Sequence, residues 1–163
     1  MTEVKIRPIK KNESALLEEF LYDAIYIPPG EPRPGKEIIL LPELSLYYRD
    51  FGRKGDLCLI AELEGKAIAA IWSRLFSERE MGFGYVNAET PELSMSVKAV
   101  YQNCGIGTLL LTRMITTLKE KHYPQVSLSV DIQNFAYKIY RNFAYETLRT
   151  DGKSATMIKI LRD

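Results

Sequence analysis

The strongest pattern of hydrophobic and polar positions lies between residues 93 and 118, where its period changes once. Leu93, Met95 and Val97 alternate with polar residues, which is the period of a strand with one buried face. Farther along, apolar residues fall three or four positions apart, as on one face of an α-helix. These positions are Ile106, Leu109, Leu110, Met114, Ile115 and Leu118. The sequence therefore predicts a strand, a short polar turn and a long amphipathic helix.

Similar patterns predict the elements that precede this stretch. Residues 4–9 alternate as a strand, which we place at a sheet edge because Pro8 has no N–H to donate. A helix capped by Asn12 or Ser14 follows it. Residues 27–35 contain four prolines and two glycines, which exclude helix and strand. The next predicted elements are a helix from Leu40 to Phe51, strands at 57–63 and 67–76 joined by the turn Glu64-Gly65, and a polar loop at 77–90.

The carboxyl-terminal part continues in the same way. The long helix ends at residues 122–124, which include Pro124, and residues 125–131 alternate as a strand. Asn134 is a good N-cap for a helix from Phe135 to Asn142. Two further strands, at 144–149 and 156–161, form a predicted closing hairpin around Asp151-Gly152.

Gly105 and Gly107 stand where the predicted strand gives way to the long helix. The backbone N–H groups of a first helical turn have no partner within the helix, and the helix dipole is positive there. Glycine removes side chains that would keep a phosphate away from those donors. The sequence therefore predicts an anion site built from a strand, a loop and a helix.

Two motifs in this part of the chain resemble those of the GNAT superfamily of N-acyltransferases. The run Gln102-Asn103-Cys104-Gly105-Ile106-Gly107 fits that family's acyl-CoA pyrophosphate motif, Gln/Arg-x-x-Gly-x-Gly/Ala. Residues 134–145 resemble its Asn-x-x-Ala…Tyr-x-x-x-Gly-Phe ending, with Tyr140 as the tyrosine and Ala144 in the place of the glycine. The resemblance covers nearly the whole chain and is strongest from residue 90 to 145.

The resemblance implies a single domain over residues 1–163 with the α+β GNAT fold. In that fold a central mixed, mostly antiparallel sheet of six to seven strands is flanked by about four helices. It also implies that two neighbouring strands splay apart and that the pantetheine arm of the cofactor binds along the exposed edge of the strand at 93–97.

The function that the resemblance implies is N-acetyl transfer from acetyl-CoA directly to a primary amine. Tyr140 is the predicted general acid, because a phenol of pKa about 10 is protonated at neutral pH and can donate to the leaving thiolate. Glu92 is the predicted general base, with Glu89 as the alternative, because an ammonium of pKa about 10 must lose a proton. The implied cofactor-binding residues are Met95, Ser96, Val97, Gln102, Asn103, Cys104, Gly105, Ile106, Gly107, Thr108, Asn134 and Tyr140.

Composition and charge limit the partners. The net charge is +1 with acidic and basic residues interspersed, so no nucleic-acid-binding face is predicted. No apolar run approaches eighteen residues and no signal peptide is present, so we predict a cytoplasmic protein without a membrane partner. Cys58 and Cys104 have neither metal-ligand nor disulfide spacing. The sequence leaves a homodimer open.

Two rival functions remain open at this stage. The first is a GNAT fold that binds acyl-CoA as a sensor or interaction module without catalysis. The second is a dinucleotide-binding unit, with Asp131 as its ribose-binding acid. Against the second, Leu110 stands where a third glycine is needed, and the first strand alternates where a parallel core strand would be apolar on both faces.

The acceptor amine is expected to enter between residues 22–39 and 76–90, as the resemblance implies. Acidic and basic residues are mixed in both segments, so their charge favours no class of amine. Four aromatic residues suggest an aromatic wall on these segments: Tyr22, Tyr26, Phe83 and Tyr85.

Overall fold

The computed structural model describes residues 3–162 and arranges them around a seven-stranded sheet. The strands are β1 (Lys5–Pro8), β2 (Leu57–Leu63), β3 (Lys66–Arg74), β4 (Glu92–Val97), β5 (Gln125–Asp131), β6 (Glu146–Asp151) and β7 (Ser154–Ile160). The α-helices of this part of the chain are α1 (Leu16–Ala24), α2 (Pro42–Ser45), α3 (Ile106–Glu120) and α4 (Ala136–Asn142). The sheet order is β1-β2-β3-β4-β5-β7-β6, with β4 and β5 parallel and the other pairs antiparallel. The predicted α+β fold with a mixed, mostly antiparallel sheet is confirmed.

Helices cover both faces of the sheet because its central strands are apolar on both sides. On one face, Leu110 and Met114 of α3 belong to the same buried cluster as Ile68 of β3 and Leu128 of β5. On the other face, α1 and the segment at residues 36–51 pack on Ile60, Ala70 and Trp72. Within residues 3–162, no helix is long and apolar enough to cross a bilayer.

The predicted helix from Leu40 to Phe51 is wrong over most of its length. The chain forms a 3₁₀ turn at Lys36–Leu40, the single turn of α2, and then non-helical turns up to Gly52. The cause lies in β3. Its side chains donate hydrogen bonds to carbonyl oxygens that would otherwise accept the N–H groups of the next helical turn. Arg74 donates to the carbonyl oxygens of Leu46 (2.9 Å) and Arg49 (2.7 Å), and the Trp72 indole donates to that of Tyr47 (3.0 Å).

The predicted cap of the first helix is also wrong. The N-cap position of α1 is Ala15, and no side chain caps it. Asn12 lies in a preceding 3₁₀ turn, Lys11–Glu13, and Ser14 follows that turn directly. Glu13 closes the turn by accepting the Lys10 N–H (2.9 Å). The segment before α1 is therefore held by this turn rather than by a helix cap.

Several other predictions are confirmed. β1 lies at a sheet edge, and residues 27–35 contain neither helix nor strand. Glu64 and Gly65 both take positive φ values (50° and 79°), as a two-residue hairpin turn between β2 and β3 requires. The closing hairpin pairs β6 with β7 around Gly152.

The sheet opens between β4 and β5, as the resemblance implied. A single pair, Glu92 with Ser127, is in register between these strands, and the Ser127 N–H donates to the Pro91 carbonyl (3.0 Å). Beyond this pair the two strands separate. The edge of β4 at residues 94–97 therefore faces a gap, and this gap positions the candidate site.

Candidate active site

Two clefts meet at the gap between β4 and β5. We call the first the α3 cleft: it has a volume of about 480 Å³ and extends from the β4 edge to the amino-terminal end of α3. The second, the α1 cleft, has a volume of about 370 Å³ and lies between the end of α1, the loop at 77–90 and β5. The residues that line both clefts are Ala24, Met95, Asn134, Ala136 and Tyr140.

The α3 cleft ends at a turn in which two residues take left-handed backbone conformations. Asn103 and Gly105 take positive φ values of 63° and 83°, and α3 begins directly after Gly105. The Gln102 side chain closes the turn by donating to the Val97 carbonyl (3.0 Å). A Cβ atom on Gly107 would come within 3.5 Å of the Met95 side chain, which lines the cleft. Glycine at this position therefore leaves more room between the cleft and the helix backbone.

All the predicted cofactor-binding residues except Cys104 line the α3 cleft. The Cys104 side chain is exposed, and its thiol lies 3.5 Å from the Gln102 carbonyl oxygen, to which it donates. Asp23 is the one charged residue among the described residues that line this cleft. An anion at this end would thus be held by the free N–H groups of the first turn of α3, supported by the helix dipole.

Glu92 lies at the start of β4 and lines the α1 cleft. Only 3% of its surface is exposed, and burial raises the pKa of its carboxyl from 4.5 to about 7. The Tyr47 hydroxyl, the Gly84 N–H and the charge of Arg149 lower this pKa, but only in part. Its Oε1 atom is buried and has no hydrogen-bond partner within residues 3–162. Glu92 is therefore a desolvated carboxyl, one oxygen of which has no hydrogen-bond partner among the described residues.

Tyr47 connects Glu92 to the loop that covers it. Its hydroxyl donates to Glu92 Oε2 and accepts the Phe83 N–H (2.7 Å). Its ring packs edge-on against Phe76 and is stacked with Phe83, with centroids 5.3 and 6.4 Å away. Burial, followed by the charge of Glu92, raises the pKa of the Tyr47 phenol well above 10, so Tyr47 is the proton donor of this pair.

Arg74 is the register partner of Glu92 between β3 and β4, but its guanidinium does not form an ion pair with that carboxylate. Its guanidinium forms an ion pair with Asp56 (3.0 Å) in which both side chains are almost fully buried. It also donates to backbone carbonyls of the segment that carries Tyr47. Arg74 therefore anchors the Tyr47 segment, and Glu92 has no ion-pair partner among the described residues.

Tyr140 lies on α4 with 6% of its surface exposed, and it lines both clefts. Burial raises the pKa of its phenol above 10, so the hydroxyl is protonated at neutral pH. Its ring contacts Tyr145, with centroids 5.5 Å apart. Ala144, between them, adopts a positive φ of 66°, the conformation that glycine favours and in which alanine is strained. The turn after α4 thus forms despite the alanine.

The prediction of Asn134 as the N-cap of α4 is wrong by one residue, because the helix begins at Ala136 and its N-cap position is Phe135. The Asn134 side-chain oxygen accepts the Ala136 N–H (3.0 Å), and its carbonyl accepts the Tyr137 N–H (3.0 Å). Asn134 therefore holds the first turn of α4 while its side chain lines both clefts.

Two residues of the α1 cleft were missed from the sequence, and the predictions for others were only partly right. Tyr47 fell in the middle of a predicted helix, with no local signal of its contact with Glu92, 45 residues away. Asp131, considered only as a ribose-binding acid, lines the α1 cleft. Of the predicted aromatic wall, Tyr26 and Phe83 line the cleft, whereas Tyr22 and Tyr85 do not. Glu89, the alternative base, is exposed and lines neither cleft.

The fold is similar to that of several solved structures. An N-acetyltransferase from Staphylococcus aureus superposes with a TM-score of 0.70 at 19% identity, covering 98% of this chain and 99% of that one. The PaiA N-acetyltransferase from Thermoplasma acidophilum, in complex with coenzyme A, gives 0.70 at 20% identity, covering 97% and 99%. The yncA protein from Salmonella typhimurium, with its cofactor acetyl-CoA, gives 0.71 at 16% identity, covering 99% and 95%. At these identities the likeness shows the fold.

The sequence itself adds the family. Among curated proteins, none matches this chain significantly. The Acetyltransferase (GNAT) family, however, matches residues 19–145, well over half of the chain and both of the motifs that line the α3 cleft. The chain belongs to the GNAT family of acetyltransferases.

Proposed function

We propose that this chain transfers an acetyl group from acetyl-CoA directly to a primary amine. The observation that carries the proposal is that Glu92 and Tyr140 both line the α1 cleft. Tyr140 also lines the α3 cleft, at the point where the two clefts meet. A base for the incoming amine and an acid for the departing thiolate are the two groups that such a transfer needs. They occur here beside a cleft suited to a pyrophosphate.

The α3 cleft fits the donor. A pyrophosphate would bind the N–H groups at the start of α3, where Gly105 and Gly107 leave the backbone accessible. The arm of the donor would follow the β4 edge at residues 94–97, which β5 leaves unpaired. Coenzyme A in the PaiA structure and acetyl-CoA in the yncA structure, both on this fold, support the same donor here.

Glu92 is the proposed general base. The acceptor arrives as an ammonium of pKa about 10, and a carboxyl with a pKa of about 7 is a stronger base for it than an ordinary glutamate. Oε1 is the proposed acceptor for this proton, because it has no hydrogen-bond partner among the described residues, whereas Oε2 accepts the Tyr47 hydroxyl.

Tyr140 is the proposed general acid. As the amine nitrogen forms its bond to the acetyl carbon, the carbon–sulfur bond breaks and leaves a thiolate. Tyr140 donates its phenolic proton to that sulfur. The attacking nitrogen loses its second proton once the C–N bond has formed, and this proton passes through solvent to restore Tyr140, while Glu92 releases the first proton to solvent. Because the amine attacks the thioester directly, the exposed Cys104 takes no part as a nucleophile.

The test combines calorimetry with acetyl-CoA and initial rates with a panel of primary amines. We expect heat of binding, and turnover that falls about 10²- to 10⁴-fold in Glu92→Gln and in Tyr140→Phe. Matched controls are Glu89→Gln, the exposed neighbour, and Tyr137→Phe, on the same helix, and neither should lower the rate substantially. Binding without turnover of any amine would support a silent sensor, and no binding of acetyl-CoA would refute the proposal.

A further inference from the structure

The α1 cleft has a one-sided charge pattern. Its charged lining residues are Glu92 and Asp131, both acidic, and no lysine, arginine or histidine of residues 3–162 lines it. Asp131 uses Oδ1 to accept the Gln133 N–H (2.8 Å), which leaves Oδ2 for a ligand. An anionic group in this cleft would meet carboxylates and no counter-charge.

Three arginines outside the cleft are held by other contacts. Arg149, whose charge acts weakly on Glu92, donates to the Tyr85 carbonyl (2.6 Å). Arg33 stacks over the Tyr22 ring at 4.3 Å and donates to its carbonyl (3.2 Å). Arg74 is paired with Asp56. A carboxylate of a ligand could pair with one of these arginines only if the arginine first lost its present contacts. The free-energy cost of that loss adds to the repulsion between the ligand and the acidic residues.

The remaining walls are largely apolar, and they include an exposed aromatic ring. Tyr26, Tyr47 and Phe83 line the cleft together with aliphatic residues of α1 and β5. Phe83 is 56% exposed although its ring is stacked with Tyr47. Aromatic and aliphatic side chains are the usual lining of small-molecule sites, so the exposed Phe83 ring offers a ligand apolar surface.

We infer that the acceptor is an arylalkyl primary amine that carries no anionic group. This inference rests on the proposed function and names the substrate class of the same site. In this arrangement the ammonium of the acceptor lies near Glu92 and Asp131, and its aromatic ring covers Phe83. A carboxylate on the acceptor would be repelled by the same two acidic residues. Free amino acids are excluded as good acceptors for that reason, although they carry the same amine.

The test uses two ligands that differ in one group, 2-phenylethylamine and L-phenylalanine. Calorimetry on the protein saturated with coenzyme A measures their binding, and initial rates with acetyl-CoA measure their turnover. We expect 2-phenylethylamine to bind at least about tenfold more tightly, because like-charge contacts in a desolvated site are costly. Asp131→Asn should reduce the ratio between the affinities for 2-phenylethylamine and L-phenylalanine.

Two loop variants test the role of the ring. Phe83→Ala should weaken 2-phenylethylamine binding about threefold to tenfold. Met81→Ala is the matched control, because Met81 is equally exposed (56%) on the same loop but does not line the cleft. Equal losses in the two variants would contradict a ring contact at Phe83.

The outcomes separate the inference from the proposed function. Selective binding of 2-phenylethylamine without its acetylation would support the inference and refute catalysis. Acetylation of both compounds with equal efficiency would overturn the inference and support catalysis. Failure of 2-phenylethylamine to bind would overturn the inference, whatever other amine is turned over.

Discussion

Replacing Tyr47 with phenylalanine removes a single hydroxyl from the centre of the candidate site. That hydroxyl is the hydrogen-bond donor to Glu92 Oε2, and it accepts the Phe83 N–H. The hydrogen bond stabilises the ionised carboxylate and so lowers its pKa, against the larger effect of burial. Without it, the pKa of Glu92 must rise above about 7.

The size of the rise follows from the charged partner. A hydrogen bond to a charged group contributes about 1.5–3 kcal/mol, and one pKa unit corresponds to about 1.4 kcal/mol, so the pKa moves up by about one to two units. At pH 7 the ionised fraction of Glu92 falls from about half to about a tenth or less. Because the ionised form is the proposed base, kcat/KM at pH 7 falls about 5- to 50-fold. The loss diminishes as the pH rises through the new pKa.

Two measurements check this shift. The titration of the Glu92 carboxyl carbon, followed by ¹³C NMR and assigned by its absence in Glu92→Gln, gives the pKa without catalysis. The pH profile of kcat/KM gives its consequence. Tyr48→Phe is the matched control, because the Tyr48 hydroxyl donates to the Ile39 carbonyl (3.0 Å) and does not contact Glu92. Its profile should match that of the unchanged protein.

Two results would refute the reasoning. If Glu92 titrates near its ordinary value of 4.5 in the unchanged protein, burial does not control its pKa. If the Tyr47→Phe variant titrates at the same pH as the unchanged protein or below it, Tyr47 does not stabilise the carboxylate.

Three further substitutions have definite expected outcomes. Gly82→Ala would place a Cβ against the Glu92 carboxylate and 2.7 Å from the Tyr47 hydroxyl, so initial rates should fall about a hundredfold while the circular dichroism spectrum is unchanged. Ala144→Gly relieves a positive φ of 66°, and urea unfolding should show about 1 kcal/mol of added stability. Cys104→Ala should change acetyl-CoA binding and transfer rates by less than about twofold, whereas a large loss of rate would indicate a covalent acyl-enzyme.

The parts of the site that depend on neighbouring residues could be predicted from the sequence. Alternation in β4 and the helical period of α3 are local patterns, and the two glycines mark the turn between them. The turn occurs where predicted because Gly105 takes a conformation that few other residues accept, φ 83°. The resemblance to the family then placed Glu92 and Tyr140, which line the same cleft.

The parts that depend on distant contacts could not be predicted. The segment from Leu40 to Phe51 has a helical pattern, but the side chains of Trp72 and Arg74 take its carbonyl groups. Sequence patterns do not show such a contact between residues about 25 apart, and the same contacts fix the position of Tyr47. Of the α1 cleft, the sequence therefore indicated Glu92, Tyr26 and Phe83 but not the contact of Tyr47 with Glu92.

The loop at residues 82–84 links the pKa of Glu92 to the shape of the α1 cleft. Gly82 and Gly84 lie so close to their neighbours that a Cβ on Gly84 would be 2.6 Å from the Leu128 backbone. Gly82 packs against the Glu92 carboxylate, and burial of this carboxyl raises its pKa to about 7. The raised pKa lowers the stability of the folded state as the pH rises from about 4.5 to about 7, by up to about 3 kcal/mol. Phe83, between the two glycines, lines the α1 cleft, so the loop that buries the proposed base also forms part of the proposed acceptor site.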